Sequence, residues 1–187
     1  MKYLILVKHS LPETVKNLPS REWVLSEEGR RRARILSCKL HYYLPDVVIS
    51  SEELKAIQTA EIVANELRLP MKIFENLHEH DRSKAAFLSE EGFESKVQEF
   101  FNNPDELVFG SETANQSHDR FSSAVYPVLN KYKSQNIVIV AHGTVISLFV
   151  SRLNHLPEFS LWEGLGLPSF VVLDRQSHTL IAKENIA

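Results

Sequence analysis

Residues 137–141, IVIVA, form an unbroken apolar run that stops at His142-Gly143. A strand with water on one face alternates apolar with polar residues, so a continuous run of this length belongs inside a sheet covered on both faces. That requires helices above and below, the layering of α/β domains with parallel strands. Two more runs fit the same scheme. Residues 3–7 (YLILV) end at Lys8-His9-Ser10, with Pro12 soon after, and residues 47–49 (VVI) end at Ser50-Ser51.

Helical periodicity fills the intervals. Ser26 is a suitable N-cap for a helix carrying Ala33, Leu36, Leu40 and Tyr43 at helical spacing. Pro45-Asp46 ends that segment. A second helix places Ala56, Ala60, Val63, Ala64 and Leu67 on one face, before a weaker strand at 71–74. The polar stretch 75–89 has no period and reads as a functional loop. Residues 90–101 look helical, and Phe121, Ala124, Val125, Val128, Leu129 and Tyr132 make a clean stripe in which Pro127 is expected to introduce a kink. Residues 145–153 are apolar nearly all round, as in a buried helix. Runs at 169–173 and 179–183 read as a closing hairpin. The expected fold is one α/β domain over residues 1–187, a mostly parallel central sheet flanked by helices. Such sheets bind ligands at the carboxyl ends of their strands.

Composition narrows the function classes. With 43% hydrophobic and 24% charged among 187 residues, the chain is neither disordered nor, lacking a run of about 18 apolar residues, membrane-spanning. The apolar opening is too short for a signal-peptide core. Cys38 is the single cysteine, so no intrachain disulfide or cysteine zinc cage forms, and a reducing, cytoplasmic setting is expected. Cys38, between Leu36 and Leu40, reads as packing. A net charge of −3 gives no footprint for nucleic acid. The basic run Arg30, Arg31, Arg32 and Arg34 follows Glu27 and Glu28 on one helix and reads as a solvated face.

The strand ends carry the chemistry. Parallel strands would bring His9 and His142 to one edge, where a neutral imidazole can act as nucleophile and its neighbour can stabilise developing negative charge. A phosphoryl group suits that pair. The motifs around them, taken in order, resemble those of the histidine phosphatase superfamily, the phosphoglycerate-mutase-like fold. They are LILVKHS, then Leu25-Ser26-Glu27-Glu28-Gly29, then Ser50-Ser51 with Ala56-Ile57-Gln58-Thr59-Ala60. Leu77-His78-Glu79, Gly110-Ser111-Glu112-Thr113 and VIVAHGTVIS follow. The resemblance implies His9 as phosphoryl-accepting nucleophile, His142 as a contact to the transferred oxygens, and Glu79 as general acid and then base. A raised pKa is expected for Glu79 in that role. Asp81 is the substitute acid if the alignment slips.

Two departures stand out. The family's phosphate-gripping arginines are Lys8 and Lys55 here, which keep the charge but lose the bidentate fork. The glycine after the nucleophile is Ser10, whose hydroxyl could bond a phosphate or crowd it. Arg82 could return a guanidinium from the loop, with His80 beside it as a further accessory. The resemblance therefore implies a cofactor-free, metal-independent phosphatase working through phosphohistidine on a small phosphorylated substrate. A short chain favours hydrolysis over mutase chemistry. The alternative is a weak or inactive relative that binds phosphorylated ligands or partner proteins. A metal pair at His78 and His80 competes, but Arg82 stands where a metallo-hydrolase signature would continue. Trp23 and Trp162 could line a substrate mouth, although packing is the commoner use of such residues. Oligomeric state is not legible.

Overall fold

The computed structural model describes residues 2–16, 18–82 and 89–186. Six strands, β1 (Tyr3–Lys8), β2 (Val47–Ser50), β3 (Met71–Ile73), β4 (Ile137–Ala141), β5 (Ser169–Asp174) and β6 (Leu180–Asn185), form one sheet in the order β3-β2-β4-β1-β5-β6. The pairings β2–β3, β2–β4 and β1–β4 are parallel, and β1–β5 and β5–β6 are antiparallel. The sheet is therefore mixed, with its parallel part carrying the strand ends singled out above. The closing hairpin forms as its sequence suggests, with Asp174 Oδ1 accepting the backbone N–H groups of Gln176 and Ser177 across the turn.

Helices α1 (Glu27–His41) and α2 (Leu54–Leu67) cover one face, where Leu36, Leu40, Ala56, Ala60 and Val63 meet Ile5, Val7, Val48, Val138 and Val140. On the other face α4 (Ala114–Lys131) and α5 (Gly143–Asn154) bring Phe121, Val125, Phe149 and Val150 against Leu4, Leu6, Ile137 and Ile139. Each of these strand residues is fully buried, which is why the runs contain no polar residue. Burying one such aliphatic side chain contributes about 1.5–3 kcal/mol, so the two faces together outweigh any local propensity. Helices α3 (Glu90–Asn102) and α6 (Glu158–Glu163) pack together at one side through Phe93, Phe100, Phe159 and Trp162.

One sequence expectation, the packing of Cys38, changes, and the bounds of α4 become clear. Helix α4 starts at Ala114, well before the apolar stripe, because Thr113 and Gln116 form a reciprocal capping box. It continues through Pro127 as one helix; the carbonyl freed by the proline belongs to Ser123, and both residues are exposed to water. Cys38 is exposed rather than packed, since the buried face of α1 runs through Gly29, Ala33, Leu36, Ser37 and Leu40. Three of the four arginines of α1 are ion-paired, Arg31 and Arg32 with Glu28 and Arg34 with Glu66, and Arg30 donates to Gln58 Oε1. Residues 83–88 of the polar stretch lie outside the described residues. No helix among the described residues is long and apolar enough to cross a membrane.

Candidate active site

The parallel register decides where the histidines meet. Lys8 pairs with Ala141 and Ser50 with Val140, so β1, β4 and β2 end side by side. The ladder runs one step further, with His9 N–H donating to the Ala141 carbonyl at 3.0 Å. The two imidazoles then stand 5.2 Å apart, centre to centre, in an edge-on arrangement. His9 is 8% exposed and His142 fully buried.

Hydrogen bonding fixes the form of His9. Its Nδ1 lies 2.8 Å from the Ser10 carbonyl, which can only accept, so Nδ1 carries the hydrogen and Nε2 keeps the lone pair. Burial, then the charges of Lys55, His142 and Lys8, holds its pKa well below the usual histidine range. His9 is thus a neutral imidazole with an available Nε2. His142 is also held well below that range, by burial first and by Lys55 next. Its Nε2 lies 2.9 Å from Ser51 Oγ, and its buried Nδ1 has no partner among the described residues.

Cations surround the pair. Lys8 Nζ donates to the Leu165 carbonyl at 2.7 Å, and its stem runs beneath Gly143, where a Cβ would come within 3.2–3.4 Å of it. Burial lowers the Lys8 pKa to about 8, partly offset by Glu79. Lys55 is 4% exposed, donates to the Ser20 carbonyl at 2.6 Å and pairs with Glu53 at 2.7 Å. The Arg82 guanidinium sits 4.7 Å over the Phe93 ring, and its charge reaches both Glu79 and His142.

Glu79 is brought to the histidines by the loop after β3. Its Oε1 accepts the His80 N–H at 2.9 Å and its Oε2 the Thr144 N–H at 3.1 Å, at the start of α5. The expected raised pKa is not found. Burial pushes it up, but Arg82, His142 and the two backbone donors outweigh burial and leave Glu79 below the ordinary carboxylate range. Glu79 is therefore a carboxylate. Asp81 is spent elsewhere, accepting from Ser111 Oγ.

Other singled-out residues serve the frame. Both Ser10 donors are used internally, the N–H on Thr59 Oγ1 and the hydroxyl on the Gly29 carbonyl, which leaves neither for an anion. Gly29 must be glycine, because a Cβ there would lie 2.0 Å from the Leu11 carbonyl oxygen. Gln58 accepts the Leu25 N–H and so ties α2 to that loop. His80 stacks on Phe100 and reaches the Glu112 carbonyl, and burial lowers its pKa to about 4. His78 Nδ1 faces the Glu79 carbonyl, and no metal-holding cluster of three or more His, Cys, Asp or Glu occurs among the described residues. Trp23 donates to the Val15 and Leu18 carbonyls with its ring 5.9 Å from Lys55 Nζ, while Trp162 packs on Phe159 and Phe93.

Two residues of the site went unread in the sequence. Arg120 of α4 donates to the carbonyls of Asn76, His78 and Glu79 and pairs with Glu112 at 2.6 Å, so it pins residues 76–79 of the loop. Glu53, 7% exposed, lies between Lys55 and the loop. Neither sits in an apolar pattern. Arg120 follows the capping box of α4, which is the one local hint that this segment is ordered.

The sequence model of the histidine phosphatase superfamily (branch 1) matches residues 4–183. The chain belongs to that superfamily. By class this superfamily member is a phosphatase, a phosphoric monoester hydrolase. Among curated proteins it is 26% identical over 159 residues to the uncharacterized phosphatase PhoE of Bacillus subtilis, covering 82% of this chain and 78% of that protein. It is also 26% identical over 147 residues to the adenosylcobalamin/alpha-ribazole phosphatase of Escherichia coli, covering 74% and 70%. Its fold resembles that of a mycobacterial glucosyl-3-phosphoglycerate phosphatase, with a TM-score of 0.75 at 19% identity and 96% of each chain covered.

Proposed function

We propose that this histidine phosphatase hydrolyses small phosphomonoesters without a metal ion, through a phosphohistidine on His9. The observation that carries the reading is the Nδ1 contact of His9 to the Ser10 carbonyl, which leaves Nε2 free to attack. In the first step the Nε2–P bond forms as the ester P–O bond breaks, and the departing oxygen takes a proton from Glu79. In the second step water attacks phosphorus, Glu79 removes its proton, and the P–N bond breaks to release phosphate. Lys8, Lys55 and Arg82 offset the charge of the transferring group, and His142, whose buried Nδ1 has no partner among the described residues, contacts its oxygens.

Glu79 must carry a proton for the first step although its surroundings favour the ionised form. A phosphate dianion brought beside it raises its pKa, so binding the substrate is what charges the acid. The named substrates of the relatives, among them glucosyl-3-phosphoglycerate and alpha-ribazole phosphates, support a small phosphorylated molecule as substrate. The single cysteine supports a cytoplasmic setting, and residues 1–187 serve as one catalytic unit.

The test is turnover of an aryl phosphate in EDTA by the wild-type protein and by His9→Ala. Activity that survives chelation and disappears with His9→Ala is expected. Loss on chelation, restored by zinc or manganese, contradicts the reading.

A further inference from the structure

Glu53 occupies the N-cap position of α2, yet its side chain makes no capping bond. A glutamate is a poor N-cap residue in any case, so the carboxylate does not serve the helix. It is turned into the site and buried, which is costly for a carboxylate unless both oxygens are compensated. They are. Oε1 accepts the Glu79 N–H at 2.8 Å and lies 3.6 Å from His142 Nε2, and Oε2 lies 2.7 Å from Lys55 Nζ. Glu79 is thereby gripped at both ends of its backbone, by Glu53 at the N–H and by Arg120 at the carbonyl. Without the first grip, the Glu79 backbone would be held from the carbonyl side alone, by Arg120, with the contacts of its own carboxylate to the His80 and Thr144 N–H groups. A carboxylate that must leave those donors to reach a substrate oxygen needs its backbone fixed.

We propose that Glu53 is a positioning residue, which seats Glu79 for proton transfer by holding its backbone N–H while Lys55 compensates its charge. This rests on the reading of Glu79 as the general acid. Glu53 does not itself act as the acid, because both of its oxygens are engaged and its pKa lies below the ordinary range, burial being outweighed by Lys55.

The experiment is single-turnover phosphorylation by aryl phosphates with good and poor leaving groups, compared as a ratio. A misplaced catalytic group costs up to about 100-fold, so Glu53→Ala should slow the poor leaving group by roughly 10–100-fold. The good leaving group should lose less than about 3-fold, since it needs little proton assistance. Glu53→Gln keeps an acceptor oxygen and should hold the ratio near the wild-type value. Should Glu53→Ala fail to fold, Glu53→Ala with Lys55→Met leaves no buried charge unpaired, and the ratio cancels the loss of phosphate binding. Equal slowing of both substrates, an unchanged ratio, or Glu53→Gln behaving like Glu53→Ala overturns the proposal. Glu79→Gln run alongside separates the two readings. A wild-type ratio in Glu79→Gln overturns the general-acid role, whereas a changed ratio there and an unchanged one in Glu53→Ala overturns only the role of Glu53.

Discussion

The two halves of the site are built by different physics. His9 and His142 are placed by backbone: parallel ladders end β1 and β4 in register, and the last ladder bond belongs to His9 itself. Glu79 is placed by side chains from distant elements, with Arg120 from α4, Glu53 from the start of α2 and Glu112 bracing Arg120. The sheet half inherits the stability of the core. The loop half depends on a few polar contacts from side chains. Under the proposed mechanism the halves have separate duties, with attack on phosphorus in the part placed by backbone and proton delivery in the part placed by side chains.

Perturbing each half should therefore leave different signatures. The largest effect is expected from His9→Ala, which removes the nucleophile and should lower kcat by roughly 10⁴–10⁶-fold for every substrate. Glu79→Gln comes next. Proton assistance is worth about 10²–10⁴-fold, so poor leaving groups should slow by that factor and good ones far less. Arg120→Ala releases the loop and should slow poor leaving groups by about 10–100-fold while the sheet half still attacks. Ile139→Ala, a cavity between β4 and the helices, should lower unfolding free energy by about 2–5 kcal/mol yet leave the leaving-group profile unchanged. If Arg120→Ala lowers stability alone and Ile139→Ala alters leaving-group dependence, the division between the halves is wrong.

Lys8 gives a smaller, pH-dependent check on the sheet half. Its ammonium form attracts phosphate and its pKa is lowered to about 8, mainly by burial. The charged form therefore prevails below that pH, and kcat/KM should fall as pH rises through about 8. Lys8→Arg, charged across the whole range, should retain activity and remove that limb. A limb that persists in Lys8→Arg assigns it to another group.

The same division explains what could be read beforehand. Strands buried on both faces cannot hide polar residues, so the runs at 137–141 and 3–7 announced their place and their ends announced His9 and His142. The Gly29 motif was read through its resemblance to the family, and its physical reason is that a Cβ there would lie 2.0 Å from the Leu11 carbonyl oxygen. Glu79 was reached only through its resemblance to a family motif, and its ionisation was misjudged, because burial is outweighed by Arg82 and His142 nearby and by the His80 and Thr144 N–H donors. Arg120 and Glu53 were missed outright. Their meaning lies in contacts 41 and 26 positions away along the chain, and no local period records such contacts. Ser10 and His80 read as site residues by proximity, yet their hydrogen bonds serve the frame.

The most direct measurement is the position of the phosphoryl label. The wild-type protein, mixed briefly with labelled phosphomonoester and quenched into alkaline denaturant to preserve a phosphoramidate, would be digested and its labelled residue located. The account expects acid-labile, base-stable label on His9, absent in His9→Ala and accumulating in Glu79→Gln with a good leaving group. Label on any other residue, or turnover with no trapped label in either protein, contradicts it.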